Sequence, residues 1–504
     1  MTEAAAKAMF LVRKEKWEDA ALALYGVYKG ETNDDEGNRQ LAQYNLAIAL
    51  YNQKYYQGSY AVFSEVAENP SHIKFNETLL WLAKLATELP EPADIVERVG
   101  KYDEEAVAKF NNPNQKELYW QLNYLLGRYK YRNGQFNDAV SLFQKVGRQS
   151  KFYVKAQFFA GISNVQLRTS EPAVKAFKNV TTAVEEGEVE EDGQRMRDLA
   201  YLSIARTLYS ASISVDDTNT PKINEDRLTA AVRHWNKVDV GSEYWLDALF
   251  EESWAYFMAG DYAHALGNIH SINAAYFPKA YYPEGEILKA VVYFSNCQYE
   301  DAGTITAKFQ AKYQPIYDEL NGVLKRFKDG GQEEEFYKFM QEVRSGKADL
   351  SPRIRSVVEG AMSDRQLLRH LKYVELLDKE AERFKKSSQK LQGSPLGGDI
   401  KDSLQLARDI AVRNAGTLAK ERYQRNLAEL EEQLRNAQKI VIDISSAQRN
   451  QLDTAIAGTQ VSVQESQRNV VKGDDEHVIW PFDGEYWRDE LGFYRQTITS
   501  KCGR

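Results

Sequence analysis

The sequence predicts an all-α chain, an array of helical hairpins continued by long helices, and three observations carry that prediction. Four residues recur at one offset: Gly127 and Gly161, Ala139 and Ala173, Phe143 and Phe177, and Val146 and Val180 are each 34 positions apart. Apolar residues step by threes and fours, the spacing of a single helix face. Beyond residue 350 the same steps settle into long heptad seams.

The opening pair supplies a template: a small residue, a second small residue twelve later, a bulky one four beyond it, and a branched apolar one three further on. Ala8, Ala20, Leu24 and Val27 fit it, as do Ala47, Ser59, Phe63 and Val66. So do Ala205 with Ala231, Trp235 and Val238 after an insertion, then Ser253, Ala265, Ile269 and Ile272, then Ala290, Ala302, Thr306 and Phe309. An aromatic three residues before the second small residue recurs as Trp17, Tyr56, Phe136, Tyr262 and Tyr299. Small residues at the crossing let two antiparallel helices approach closely, which bulky side chains would prevent. Breakers such as "RNGQ" at 132–135 and "AGD" at 259–261 supply the turn. About eight hairpins are expected over residues 1–312, with one degenerate stretch at 72–116. The insertion "SISVDDTNTPKINEDRL" at 212–228 is expected to be a solvent loop.

The period of 34, "LGRYKYRNGQFNDAVSLFQKV" and the aromatic–small–bulky order resemble tetratricopeptide repeats (TPR) over residues 1–312. The resemblance implies a right-handed α-solenoid with a concave binding face lined by the first helix of each hairpin. Mapped onto this sequence, that face carries Tyr44, Ile48, Tyr51, Asn52, Tyr124, Arg128, Tyr131, Phe158, Ile162, Trp254, Phe257, Ile287 and Phe294. Aromatic rings give contact area at low rotamer cost, and Arg128 offers a bidentate fork for a carboxylate. The family's clamp for C-terminal carboxylates is not matched: Asn45 suits it, but Ala5 and Met9 stand where a lysine and an asparagine are needed. The competing reading is that these aromatics complete the packing between hairpins.

Residues 313–350 read as connecting helices. Residues 351–470 read as a long antiparallel coiled coil with its tip near 392–399, "QGSPLGGD". One seam runs through Leu377, Ala381, Phe384, Ser388 and Leu391. A second runs through Leu404, Ala407, Ala411, Asn414 and Leu418, shifts phase near Tyr423, and resumes at Leu427, Leu430, Leu434, Ala437, Val441 and Ile444. Such helices either cap the array or project from it as an arm or an oligomerisation stalk. The segment 471–504 crowds Trp480, Phe482, Tyr486, Trp487, Phe493 and Tyr494 together, as a partner anchor or as a cap packed on the helices. Its "PFDGEYWRDELG" is similar to the tails of TPR proteins of bacterial cell-envelope machinery, including the gliding apparatus of myxobacteria.

Composition narrows the function. A chain of 504 residues with net charge −8 lacks the concentrated positive field that nucleic acid demands. Six histidines include none at metal-binding i, i+4 spacing, and no phosphate loop or nucleophile elbow occurs, so neither a metal nor a cofactor is expected. Two cysteines exclude a multi-disulfide framework and leave the compartment open. The N-terminus lacks a secretory pattern and no 18-residue apolar run exists, so the chain reads as soluble, as a mature form without its leader would. The expected function is a non-enzymatic scaffold that binds a peptide or helix of a protein partner, with the coiled coil as a second contact or a route to oligomers. The alternatives are a structural subunit of a bacterial envelope complex, with the periplasm favoured over the cytoplasm, and an enzyme whose catalytic domain follows residue 312.

Overall fold

A computed structural model of the chain describes residues 1–187, 192–215, 221–278, 280–327, 331–362, 364–456, 479 and 481–502. Among them are twenty-two α-helices. The first eleven are α1 Glu3–Arg13, α2 Trp17–Tyr28, α3 Glu36–Asn52, α4 Tyr56–Ala67, α5 Phe75–Glu88, α6 Ile95–Val99, α7 Glu104–Ala108, α8 Lys116–Arg132, α9 Phe136–Gln144, α10 Tyr153–Gln166 and α11 Ser170–Glu185. Then follow α12 Gly193–Ser212, α13 Glu225–Trp235, α14 Trp245–Met258, α15 Tyr262–Ile272, α16 Pro283–Ser295 and α17 Tyr299–Lys325. The last are α18 Glu333–Arg344, α19 Pro352–Ala361, α20 Arg365–Lys385, α21 Gln389–Gln392 and α22 Pro395–Ile456. The chain forms two compact units, each assembled from separated stretches. The first comprises Met1–Ala176, Glu333–Met340 and Ser363–Ala419; the second comprises Phe177–Gln332, Gln341–Met362 and Lys420–Arg504.

In the first unit α1–α2, α3–α4 and α8–α9 pack as consecutive hairpins. The template explains itself in the contacts. A Cβ on Gly127 would lie 2.6 Å from the Phe143 ring, so the first small residue is the seat of the bulky one sixteen positions on. The template residues named from spacing are buried throughout both units. A second regularity had only a partial sequence signal: the residue five before the second small position is left-handed in hairpin after hairpin. It is Glu15 (φ 55), Lys54 (φ 63), Gly134 (φ 72), Arg168 (φ 57), Gly260 (φ 73) and Cys297 (φ 55). Only two are glycines, the residue that adopts this conformation without cost. The degenerate stretch is helical but broken: α5 is followed by the short α6 and α7, with a 3-10 turn at Glu91–Ala93 between α5 and α6.

The helices α20, α21 and the start of α22 join the core of this unit. Leu377, Phe384, Leu391, Leu396, Ile400, Leu404 and Ala411 share one buried cluster with Leu46, Phe63 and Leu82 of the hairpins. Their seam therefore faces the array: α20 packs on α4 and on the 3-10 turn. The break before α22 falls at 393–394, within the expected tip at 392–399, and the rest of that stretch is helical: α22 begins at Pro395 and carries Gly397 and Gly398 inside its first turn. Proline suits that first turn, where its missing N–H has no partner to lose. The helix is continuous through the phase shift, where burial passes along Ala411, Ala415, Ala419, Tyr423 and Leu427. Val441 leaves the expected seam, exposed beside buried Ile440 and Ile444.

In the second unit α12–α13, α14–α15 and α16–α17 repeat the hairpin. The insertion is not wholly a loop. Ile213–Val215 and Pro221–Ile223 pair as an antiparallel two-stranded ribbon, and the residues between them, 216–220, lie outside the described ones. Helix α17 overruns the expected end of the array at 312 and continues through Pro315 to Lys325. The later part of α22 lies in this unit, where the Tyr423 hydroxyl donates to the Leu320 carbonyl at 2.9 Å.

The C-terminal segment crosses α15 and α16 as an extended strap. Gly492 N–H donates to Ser271 Oγ (2.9 Å), Gln496 N–H to the Ala263 carbonyl (3.1 Å) and Lys501 N–H to the Asn296 carbonyl (2.9 Å). Ile498 is buried among Leu266, Ile269, Leu288 and Val292. Ala263, Gly267 and Ser271 place small side chains on successive turns beneath it, and a Cβ on Gly267 would fall 1.7 Å from the Tyr494 carbonyl oxygen. The two cysteines, whose spacing predicted no pairing, are joined: Cys297 and Cys502 form a disulfide across 205 residues.

Candidate binding groove

Burial and pairing divide the residues assigned to a concave face. In the first unit they are largely consumed by packing. Tyr44 stands edge-on to Phe63 and accepts a hydrogen bond from the Trp81 indole at 3.0 Å. Tyr51 packs on Tyr56 and Trp81, and exposed Asn52 donates to the Ile48 carbonyl. Tyr124 is buried against Phe152 and Phe159, and Tyr131 packs on Phe136 and Phe159. Phe158 meets Phe159 edge-on.

Arg128 was expected to present its fork to a ligand carboxylate, but a carboxylate of the chain already occupies it. Its guanidinium pairs with Glu91 and lies 3.9 Å above the Phe159 ring centroid. Arg132 and Arg369 converge on the same Glu91. Burial alone would raise the Glu91 pKa, but the three guanidinium groups outweigh it and hold it below the usual carboxylate range.

In the second unit Phe257 packs on Trp254 and Tyr262, and Phe294 on Tyr299. Trp254 also faces open space. Together with Ile287 it lines a groove of about 580 Å³ bounded by α14, by α16 with the residues before it, and by α22. Pro283 opens α16 and fixes the chain direction ahead of it, so Tyr281 and Tyr282 enter as a pair. The Tyr282 hydroxyl donates to Asp247 (2.7 Å) and its ring packs at 5.4 Å from Phe250. From α22 come Glu429, Glu432, Gln433, Asn436, Lys439 and Ile440, which share one helix face.

The electrostatics of the groove are one-sided. Burial raises the Glu284 pKa, and the neighbouring charges of Glu432 and Glu429 raise it further, against a hydrogen bond from the Trp254 indole. The Tyr281 hydroxyl oxygen is buried without a hydrogen-bond partner among the described residues. A larger hollow, about 760 Å³ in the first unit, is lined mainly by charged residues such as Glu375 and Lys379, which pair with each other. It offers a single aromatic ring, Tyr55. The aromatic groove is therefore the stronger candidate, because anchoring energy concentrates where rings lose water.

Trp254 and Ile287 were legible in the sequence; Phe250, Tyr281, Tyr282, Glu284 and the α22 wall were not. The stretch "FPKAYYPEGE" was the available signal, with adjacent tyrosines ahead of a helix-opening proline. Nothing in a heptad seam identifies which helices it will lie against.

Of the tail aromatics, Phe482, Tyr486 and Tyr494 enclose His270, with ring centroids 4.5, 4.8 and 5.0 Å away. Trp487 and Phe493 face solvent, and Trp480 and His477 lie outside the described residues. Among the described residues no group of three or more His, Cys, Asp or Glu could hold a metal ion, and no helix is long and apolar enough to cross a membrane.

No protein-family model matches the chain, and no curated protein matches it. Among solved structures, the crystal structure of BtubC (BKLC) from P. vanneervenii aligns at 15% identity over 45% of this chain and 86% of that one, with a TM-score of 0.27.

Proposed function

We propose that the protein is a non-enzymatic scaffold of the tetratricopeptide-repeat kind, and that the groove on α14 and α16 receives a segment of a protein partner. The observation that carries this reading is the open aromatic lining. Phe250 and Trp254 on α14, with Tyr281 and Tyr282 directly before α16, gather at the first helices of two adjacent hairpins, where the repeat family presents ligands. The partner-facing role assigned to Tyr44, Tyr51, Tyr124, Arg128 and Tyr131 passes to this groove, since those side chains are engaged in packing. The coiled-coil role assigned to α20 and α22 becomes that of a wall and a core element. The disulfide favours an oxidising compartment and so supports the reading as a subunit of a bacterial envelope assembly.

A photo-crosslinking amino acid at Val291 in the groove, compared with one at exposed Lys175, tests the proposal in the native host. The expected result is a discrete crosslinked protein from position 291 that disappears in the Trp254→Ala background. Equal products from both positions, or a product indifferent to Trp254, would overturn it.

A further inference from the structure

The groove's charge distribution specifies its ligand more narrowly, and this inference rests on the proposed binding role. Three carboxylates, Glu284, Glu429 and Glu432, converge on its aromatic lining, and none has a cationic partner among the described residues. Lys439 is the single cation of the lining. It stands two helical turns from Glu432, about 10 Å along the axis at the α-helical rise, so it leaves the carboxylate end uncompensated. By contrast Glu91, half-buried like Glu284, is paired with Arg128 and Arg132.

We propose that the groove binds a protein segment bearing lysine or arginine, with the cationic head among Glu284, Glu429 and Glu432 and its aliphatic stem along the rings of Trp254 and Tyr281. A cation there gains charge-assisted hydrogen bonds and the attraction of aromatic faces. It also offsets the burial that, together with the Glu432 and Glu429 charges, raises the Glu284 pKa. The unpartnered Tyr281 hydroxyl on the same lining gains a partner from the segment's own polar groups. A segment suits this site better than a free amine, because about 580 Å³ exceeds what one side chain fills and the rings of Phe250 and Tyr282 remain to be covered.

The test uses the full chain, biotinylated, and a yeast-displayed library of random twelve-residue peptides. Binders are sorted on the wild-type protein and counter-sorted on Trp254→Ala, with thermal melting of each variant as the folding control. The expected outcome is groove-dependent peptides enriched in Lys and Arg. Replacing the arginines of the best one by isosteric, neutral citrulline should weaken it at least tenfold. The double variant Glu429→Gln/Glu432→Gln should shrink that difference to about threefold or less, while Glu375→Gln, in the other unit, leaves it unchanged. Groove-dependent binders without a basic excess would overturn this inference and leave the binding role standing. No groove-dependent binder at all would overturn both. Competition by free arginine amide at the peptide's own affinity would reassign the site to small amines and also overturn the proposal.

Discussion

Glu380 reaches back 323 residues to accept the backbone N–H of Gln57 at 3.0 Å, and its other oxygen accepts that of Gly58 at 3.1 Å. A side chain of α20 thus satisfies the first turn of α4, where backbone donors have no helical partner. Tyr373, two turns earlier on α20, donates to the Gln57 side chain at 2.8 Å. The N-cap position of α4 is Tyr55, which cannot make such a bond itself.

Glu380→Ala should therefore loosen α20 from α4. Leaving two buried donors unmet is expected to cost about 2–4 kcal/mol. Amide hydrogen exchange should accelerate at Gln57 and Gly58 before it does elsewhere in α4; unchanged protection there would show that the cap is dispensable.

Glu252 supplies a pH dependence in the second unit. Burial pushes its pKa up to about 7, against hydrogen bonds from Asn268, Tyr256 and Asn236 and the nearby Arg495 charge. A carboxyl that holds its proton more tightly when folded contributes stability that is complete below its unfolded pKa and is lost as pH rises toward 7. Chemical denaturation at pH 5 and pH 8 should find Glu252→Gln gaining on the wild type by an amount on the order of 3 kcal/mol. Parallel pH profiles would contradict the assignment. As pH falls below the unfolded histidine value of about 6.5 a separate loss is expected, because burial depresses the pKa of His270, and a group of that kind loses its contribution as pH falls.

Gly267→Ala separates the strap from the helix it crosses. By intrinsic propensity alone the change should stabilise α15 by about 0.5–1 kcal/mol. The new methyl would instead collide with the Tyr494 carbonyl. The expected result is a lower melting temperature and faster proteolysis within 481–502; a higher melting temperature would show that the strap is not seated there.

Cys502→Ser should act on the same segment. Loss of the Cys297 link is expected to cost about 2–4 kcal/mol, and a reducing agent should reproduce the effect in the wild type but add nothing in the variant. Melting curves with and without reductant distinguish the cases.

Arg168→Gly tests the left-handed turn position. A non-glycine residue there carries a steric cost of about 1–2 kcal/mol, partly offset by the greater entropy glycine has in the unfolded chain. A gain of a few tenths to 1 kcal/mol is expected from denaturant melts, and a loss would mean that the turn is not αL.

The hairpins were legible because their logic is local. Gly127, Ala139, Phe143 and Val146 belong to one helical hairpin, so their spacing records their contacts. The turn conformation was half hidden, since only Gly134 and Gly260 advertise what Glu15, Lys54, Arg168 and Cys297 also adopt. The seam through Leu377 and Phe384 announced that one side of a helix is buried, but a period carries no address, and the neighbour proved to be α4. The strap has no period at all. Its anchors are backbone groups and a pair of cysteines, and Arg128 looked available because its partner Glu91 is 37 residues away in an irregular stretch.

Each unit is closed by sequence made long after its first helices. The ribosome releases α4 when Glu380 has yet to be synthesised, and α15 when Gly492 and Ile498 are still to come. The early hairpins must therefore wait with one flank open, those of the first unit until Ser363–Ala419 emerges and those of the second until the strap follows. Such non-local closure slows folding and lengthens the exposure of apolar flanks during synthesis. A nascent chain stalled before residue 363 should accordingly recruit holdase chaperones that the released protein does not.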